Sequence, residues 1–304
     1  MIILLIIFLI ILIIVSPTIR CIAFHPIKTA KNTIKDMYKY IKYKRWNECK
    51  YGYIHCYNAQ DSKAFGCGKT LTSVEYIDSL YKKYNNKMVW SEEKKKFVKQ
   101  KIVVLSMVEF KEIPYIKLES MKQYISFVQA RYEKDKEEDT QTITILFVDE
   151  AGSAFNSRSF KDNFDPLSIK TLLTARHFKS FIILTSQRFS MVDALLRQIT
   201  NVCISCDKMW RLQRLNYYDA YEMENAQNPA LVKPFKRECW FIEDKHFNKY
   251  DTYQLLSDIK KKCENGDMLT EEEILANQCN QGINMDAITN HSKKYKKSRK
   301  KLTK

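Results

Sequence analysis

Glycine is scarce in this chain, six residues in 304, so two of them placed two residues apart directly before a Lys-Thr pair stand out. Other absences bound the reading. No internal repeat is visible, which removes repeat arrays. Cys203-x-x-Cys206 has no second Cys-x-x-Cys and no His-x-x-x-His after it, so the four ligands of a closed zinc site are missing. Val202 to Cys206 reads instead as a strand, in which those two sulfurs face opposite ways. Nine cysteines in a chain of this charge do not read as a disulfide framework. There is no recognisable base-reading motif, so any contact with nucleic acid is expected through phosphates.

The glycine pair belongs to Ala64-Phe65-Gly66-Cys67-Gly68-Lys69-Thr70-Leu71. An apolar, aromatic run (Tyr51 to Tyr57) precedes it, and apolar residues at helical spacing follow it. Strand, glycine turn, Lys-Thr and helix is the context of a phosphate-binding loop. Backbone N–H groups curl around the β- and γ-phosphates there, helped by the helix N-terminus. Ala64 to Leu71 are therefore the candidate ATP-binding residues, with Lys69 on the phosphates and the Thr70 hydroxyl on Mg²⁺. Lys63 stands where the pattern usually has its first glycine.

Two further strands supply the chemistry. Thr142 to Val148 is a nearly continuous apolar and β-branched run ending in Asp149-Glu150, as a strand covered on both faces would be. Ligands of open α/β sheets bind at the carboxyl ends of strands. Asp149 is the expected Mg²⁺ ligand, and Glu150 the base that orients and deprotonates the attacking water. Ser180 to Thr185 ends in Ser186-Gln187, and Gln187 is placed to sense the γ-phosphate. Arg158, Arg176, Arg188 and Arg197 are candidates for an arginine finger, with Arg197 and Arg176 favoured as acting between subunits.

Lys and Arg exceed Asp and Glu by 16, an excess that points to a polyanion, either nucleic acid or an acidic membrane surface. Eight of the twelve residues from Lys293 to Lys304 are basic, and this tail is expected to be disordered and to touch DNA phosphates or lipid. Ile2 to Val15 contains only Ile, Leu, Phe and Val. With its flanks it approaches the length of a single membrane span. A cleaved signal peptide is the competing reading, but no basic residue precedes the run and no small-residue cleavage pattern follows it. The first charges after it are Arg20, Lys28, Lys31 and Lys35, which hold the following domain in the cytoplasm. Lys28, Lys31, Lys35, Lys39 and Lys42 then alternate with a stripe of Ile27, Ile34, Tyr38 and Ile41, a basic amphipathic helix suited to anionic headgroups.

Strands are expected at Tyr51–Tyr57, Ile102–Ser106, Ile143–Val148, Phe181–Thr185 and Val202–Ser205. Helices are expected at Leu71–Tyr84 and Ser120–Tyr132, and the charge cluster Glu133–Asp139 is expected as an exposed loop. The alternation implies an α/β P-loop NTPase with a mainly parallel, doubly wound sheet, plus an N-terminal transmembrane helix. The expected organisation is a membrane anchor at 1–24, a basic juxtamembrane helix at 25–46, the ATPase domain at 47–258, and a C-terminal helix opened by Thr270-Glu271-Glu272-Glu273 with the basic tail at 259–304.

On Phe65 to Thr70, on Phe147-Val148-Asp149-Glu150-Ala151, on Ala175-Arg176-His177 and on Ile183 to Gln187, the chain resembles the Zot-like family (zonular occludens toxin domain). These are filamentous-phage assembly ATPases within the FtsK–HerA group of P-loop DNA translocases. Val192-Asp193 and Leu196-Arg197 add to the likeness. The resemblance implies ATP-driven extrusion or packaging of DNA at a membrane by a homo-oligomeric ring, with phage coat or export proteins as further partners. A cellular or conjugative translocase, or a nucleotide-binding membrane scaffold without motor activity, are the alternatives. Glu150 and Gln187 speak against the scaffold, because binding alone needs neither.

Overall fold

The computed structural model describes residues 16–59, 65–118, 120–154 and 171–250. Several sequence expectations therefore lie outside the described residues: the run Ile2–Val15, Lys63, Ala64, Arg158, the helix opened at Thr270 and the basic tail. The chain divides into two units, Met1–Tyr250 and Asp251–Lys304, and every described residue belongs to the first.

In chain order the strands are β1 (Ile54–Ala59), β2 (Met88–Ser91), β3 (Lys96–Ser106), β4 (Ile116–Lys117), β5 (Thr140–Val148), β6 (Ser180–Ser186), β7 (Val202–Met209), β8 (Leu212–Asp219) and β9 (Lys236–Phe241). The helices are α1 (Pro17–Phe24), α2 (Pro26–Lys42), α3 (Lys69–Tyr84), α4 (Met121–Glu137), α5 (Ala151–Ala154), α6 (Ala194–Ile199), α7 (Ala220–Asn225) and α8 (Asp244–Phe247). One sheet runs β2-β3-β5-β6-β1-β7-β8-β9, with β4 beside β3. The five central strands, β3-β5-β6-β1-β7, are all parallel. Strand β6 lies between β1 and β5, so the ends of three strands converge on one place.

Alternation along the central strands builds two cores. Ile143, Ile145 and Phe147 of β5 join Phe181 and Ile183 of β6 on one face, under Val74 and Ile77 of α3. Leu146, Val148, Ile182 and Leu184 face the other way, toward Met121, Tyr124, Ile125 and Val128 of α4. With both faces covered, these strands have little reason to carry polar residues. Cys203 and Cys206 fall in opposite cores, as their spacing in a strand requires.

The sheet is mainly parallel, as expected, and β2 and the β8–β9 pair extend it in antiparallel fashion at its two edges. Two expectations are corrected. The charge cluster after Tyr132 is helical as far as Glu137, and Arg131 pairs with Asp135 one turn on. Asp135 is also the acceptor for the Thr140 and Thr142 hydroxyls, at 2.9 Å each, so these charges fasten α4 to β5 rather than forming a solvated loop. The first strand begins at Ile54 instead of Tyr51, because Gly52 has a φ of +75°, outside the extended range.

The expected basic helix is present as α2, none of whose residues is buried. Pro26 at its first position lacks the N–H that would continue α1. Among the described residues no helix is long and apolar enough to cross a membrane.

The segment after β9 is fastened to α3. Lys249 is buried and pairs with Glu75, at 2.7 Å, and with Asp78. Asp78 is itself buried and has one other cation, Lys82, at 2.8 Å. Stripping one partner from a buried pair is costly, and Lys82 limits the loss here. Lys249→Ala is expected to lower the unfolding free energy by about 2 kcal/mol, read from chemical denaturation; a change within about 0.5 kcal/mol, the usual range for surface substitutions, would show that the contact does not fasten α3.

Candidate functional site

The loop between β1 and α3 is shaped by two left-handed glycines, Gly66 at φ +69° and Gly68 at φ +81°. Gly68 is the N-cap of α3, so the following N–H groups point out of the helix end. Space restricts this position as strongly as dihedral preference does. A Cβ added to Gly68 would lie 2.3 Å from Oε1 of Gln213. Gln213 is fully buried on β8, and its Nε2 donates to the Cys67 carbonyl at 2.9 Å. Strand β8, next to the edge of the sheet and missed in the sequence, thus braces the loop from behind. Cys67 is buried, and burial pushes its thiol above the ordinary range, which makes it a packing residue rather than a reactive one. Phe65 is exposed, whereas Leu71 is buried beneath the loop.

Five of the sequence-predicted residues meet at the carboxyl ends of β1, β5 and β6. Lys69 Nζ donates to Gln187 Oε1 at 2.9 Å and lies 3.9 Å from Glu150 Oε1. Gln187 Nε2 donates to the same Glu150 oxygen at 2.7 Å. Beside this triangle, the Thr70 hydroxyl donates to Asp149 Oδ1 at 3.0 Å. The Lys69 side chain is 7% exposed, so its ammonium needs these acceptors in place of water. Burial holds Glu150 above the ordinary carboxylate range; the Asp149 charge adds to this, while Lys69 and the Gln187 bond oppose it.

Thr185 was not singled out from the sequence. It donates to Asp149 Oδ1 at 2.6 Å and accepts from the Glu150 N–H at 2.9 Å. Glu150 has a φ of +49°, a conformation costly for a side-chain-bearing residue, and the Thr185 hydroxyl helps hold it there. The signal available in sequence was a hydroxyl closing an otherwise apolar strand. Gln213 gave less, a buried amide within a strand, β8, that sequence pattern did not reveal.

The two favoured arginines fall outside this cluster. Arg197 is committed within its own chain: its guanidinium forks onto Glu224 at 2.5 and 3.0 Å and donates to the Ser190 and Val192 carbonyls. Arg176 sits against Gly52, before the start of β6. The seven residues of β6 separate it from Gln187 by about 20 Å. Arg188, one residue past Gln187, is exposed.

The Thr70 hydroxyl and the Asp149 carboxylate are hard oxygen donors within hydrogen-bonding distance of each other, a fit for Mg²⁺, which completes its shell with waters and substrate phosphates. Among the described residues there is no group of three or more His, Cys, Asp or Glu that could hold a metal by themselves.

Gly68→Ala would combine a left-handed dihedral with a collision against Gln213. It is expected to weaken ATP binding about tenfold or more, followed with a fluorescent nucleotide. Adding Gln213→Ala should recover part of the loss by removing the collision while leaving the dihedral; no recovery would mean that the brace is unimportant.

Residues 65–255, more than half of the chain, match the family described as zonular occludens toxin (Zot). No curated protein matches the chain. Among solved structures, the N-terminal domain of zonular occludens toxin from Neisseria meningitidis is similar at 18% identity and a TM-score of 0.40, over 66% of this chain and 100% of that one. The genome packaging NTPase B204 from Sulfolobus turreted icosahedral virus 2 is similar at 11% identity and a TM-score of 0.38, over 63% and 97%. ATPases 2 and 3 of EssC from Geobacillus thermodenitrificans are similar at 14% identity and a TM-score of 0.36, over 70% and 43%. At these identities and TM-scores the assignment rests on the family match, and by that match the chain belongs to the Zot family.

Proposed function

We propose that this chain is a Mg²⁺-dependent P-loop ATP hydrolase that moves DNA at a membrane during phage assembly, as a homo-oligomeric ring. The observation that carries the ATPase reading is the bonded set Lys69–Gln187–Glu150 beside Thr70–Asp149 at the strand ends. An arriving γ-phosphate competes with Gln187 and Glu150 for the Lys69 ammonium. Lys69 turning to the phosphate releases both side chains, and they are then free to orient water. Thr70 and Asp149 would hold Mg²⁺, which would supply charge neutralisation to the phosphates. Glu150 takes the proton of the attacking water, so it must be ionised.

With Arg197 held by Glu224 and Arg176 at the far end of β6, Arg188 is, among the described candidates, the arginine best placed to reach a neighbouring subunit's phosphate. Membrane attachment is supported by the apolar run Ile2–Val15 and by α2, whose Ile27, Ile34, Tyr38 and Ile41 are exposed beside a row of lysines. In this reading the protein is single-pass and its ATPase domain is cytoplasmic. The charge of +16 supports DNA phosphates as the partner, and membership of the Zot family supports a role in phage assembly.

Lys69→Ala should abolish nucleotide binding. Glu150→Gln should retain binding and lower turnover by about 100-fold or more, because shape is kept and the base is lost. In the native chain the acid limb of turnover should lie above the ordinary glutamate range of 4.5. The sign follows from burial: activity disappears as pH falls through the raised pKa and the base is protonated. Equal turnover of the native chain and the Glu150→Gln variant would remove Glu150 from the role of base.

A further inference from the structure

At the amino ends of the central strands, opposite the nucleotide site, lies an open cavity of about 710 Å³, within the size range of small-molecule sites. It is bounded by the last turn of α2, the stretch that follows it, the end of α3 and the turn before β6. Its aromatic lining is tyrosine and tryptophan without phenylalanine, including Tyr40, Trp46 and Tyr53. All three are about half exposed, and the Tyr40 and Trp46 rings lie 5.8 Å apart. Such amphipathic rings are the ones enriched at membrane–water boundaries.

The cavity is also positively charged. Lys50, Lys83 and Arg176 line it, and none has a carboxylate partner among the described residues. Arg45, by contrast, is occupied by Glu48 and Glu92. Lys83 Nζ stands 5.0 Å over the Tyr84 ring, and Arg176 is brought in over Gly52, where a Cβ would lie 2.9 Å from its own Cβ. Lys50, Lys83 and Arg176 all line the same hollow, Lys50 ahead of β1, Lys83 from the end of α3 and Arg176 from the turn before β6. Three unpaired cations around one hollow match the oxygens of a phosphate.

We propose that this cavity binds the headgroup of an anionic phospholipid, with Lys50, Lys83 and Arg176 on its phosphate and Tyr40, Trp46 and Tyr53 as its walls. Lipid is favoured over nucleic acid by continuity. The cavity opens at the end of α2, which is about 25 Å long and carries an exposed apolar stripe flanked by lysines. Such a helix lies in the interfacial plane and brings its last turn, with Tyr40, to headgroup depth. The consequence is orientation: the amino ends of the strands are held at the bilayer and the ATP site faces away from it. The proposal rests on the membrane attachment set out above.

The test is hydrogen exchange on the full chain in nanodiscs of phosphatidylcholine alone and of phosphatidylcholine with phosphatidylglycerol. Phosphatidylglycerol should slow exchange across residues 46–53 about tenfold or more. Lys50→Gln with Lys83→Gln should remove that slowing, while residues 26–42 remain protected and basal ATP hydrolysis, which reports folding, is unchanged. Equal exchange of 46–53 in both discs, with 26–42 protected, would overturn the headgroup site and leave membrane attachment standing. No protection of 26–42 in either disc would remove the attachment and the proposal together. The same slowing produced by inorganic phosphate alone would reassign the cavity to a free anion, and by an oligonucleotide to nucleic acid; either result overturns the lipid assignment.

Discussion

One buried ammonium organises this molecule. Lys69 sits at the first turn of α3 with almost no access to water, and a charge so placed must find acceptors. It finds them on two other strands: the Gln187 amide at the end of β6 and the Glu150 carboxylate at the end of β5. Because Gln187 also donates to Glu150, all three are held in one geometry. The strand order makes this possible. With β6 between β1 and β5, the loop lysine, the amide and the carboxylate converge without a long reach. Thr185 and Gln213 then fix the frame, one holding the Asp149–Glu150 turn and the other filling the space that Gly68 leaves open.

The same frame separates the two ends of the sheet by chemistry. The carboxyl ends gather an acid pair, a lysine and an amide suited to phosphoryl transfer. At the amino ends are tyrosines, a tryptophan and cations beside the lysine-rich α2.

What could be read from sequence follows from burial. The five central strands were legible because both their faces are covered, and a fully covered strand is a short apolar run. The five polar residues of the cluster were nominated by their types and order at the ends of apolar runs, and parallel strands deliver such ends to one place. The edge strands were not. Lys236–Phe241 carries Lys, Arg and Glu on a largely exposed strand, and only its pairing with β8 makes it one. The end of α4 was missed for a related reason: its last turns are charged all round, and their reason for being helical is Asp135 meeting β5. The arginines show a different limit. Type and position could nominate Arg197, but Glu224, 27 residues away, decides what it does.

The central claim is that ATP displaces Gln187 and Glu150 from Lys69. A structure of the full chain with a non-hydrolysable ATP analogue and Mg²⁺ tests it most directly. The account predicts Lys69 Nζ on the β- and γ-phosphate oxygens, Thr70 and Asp149 at the metal, and the 2.9 Å contact between Lys69 and Gln187 broken. An analogue bound away from the Phe65–Thr70 loop, or bound there with the contact between Lys69 and Gln187 intact, would contradict it.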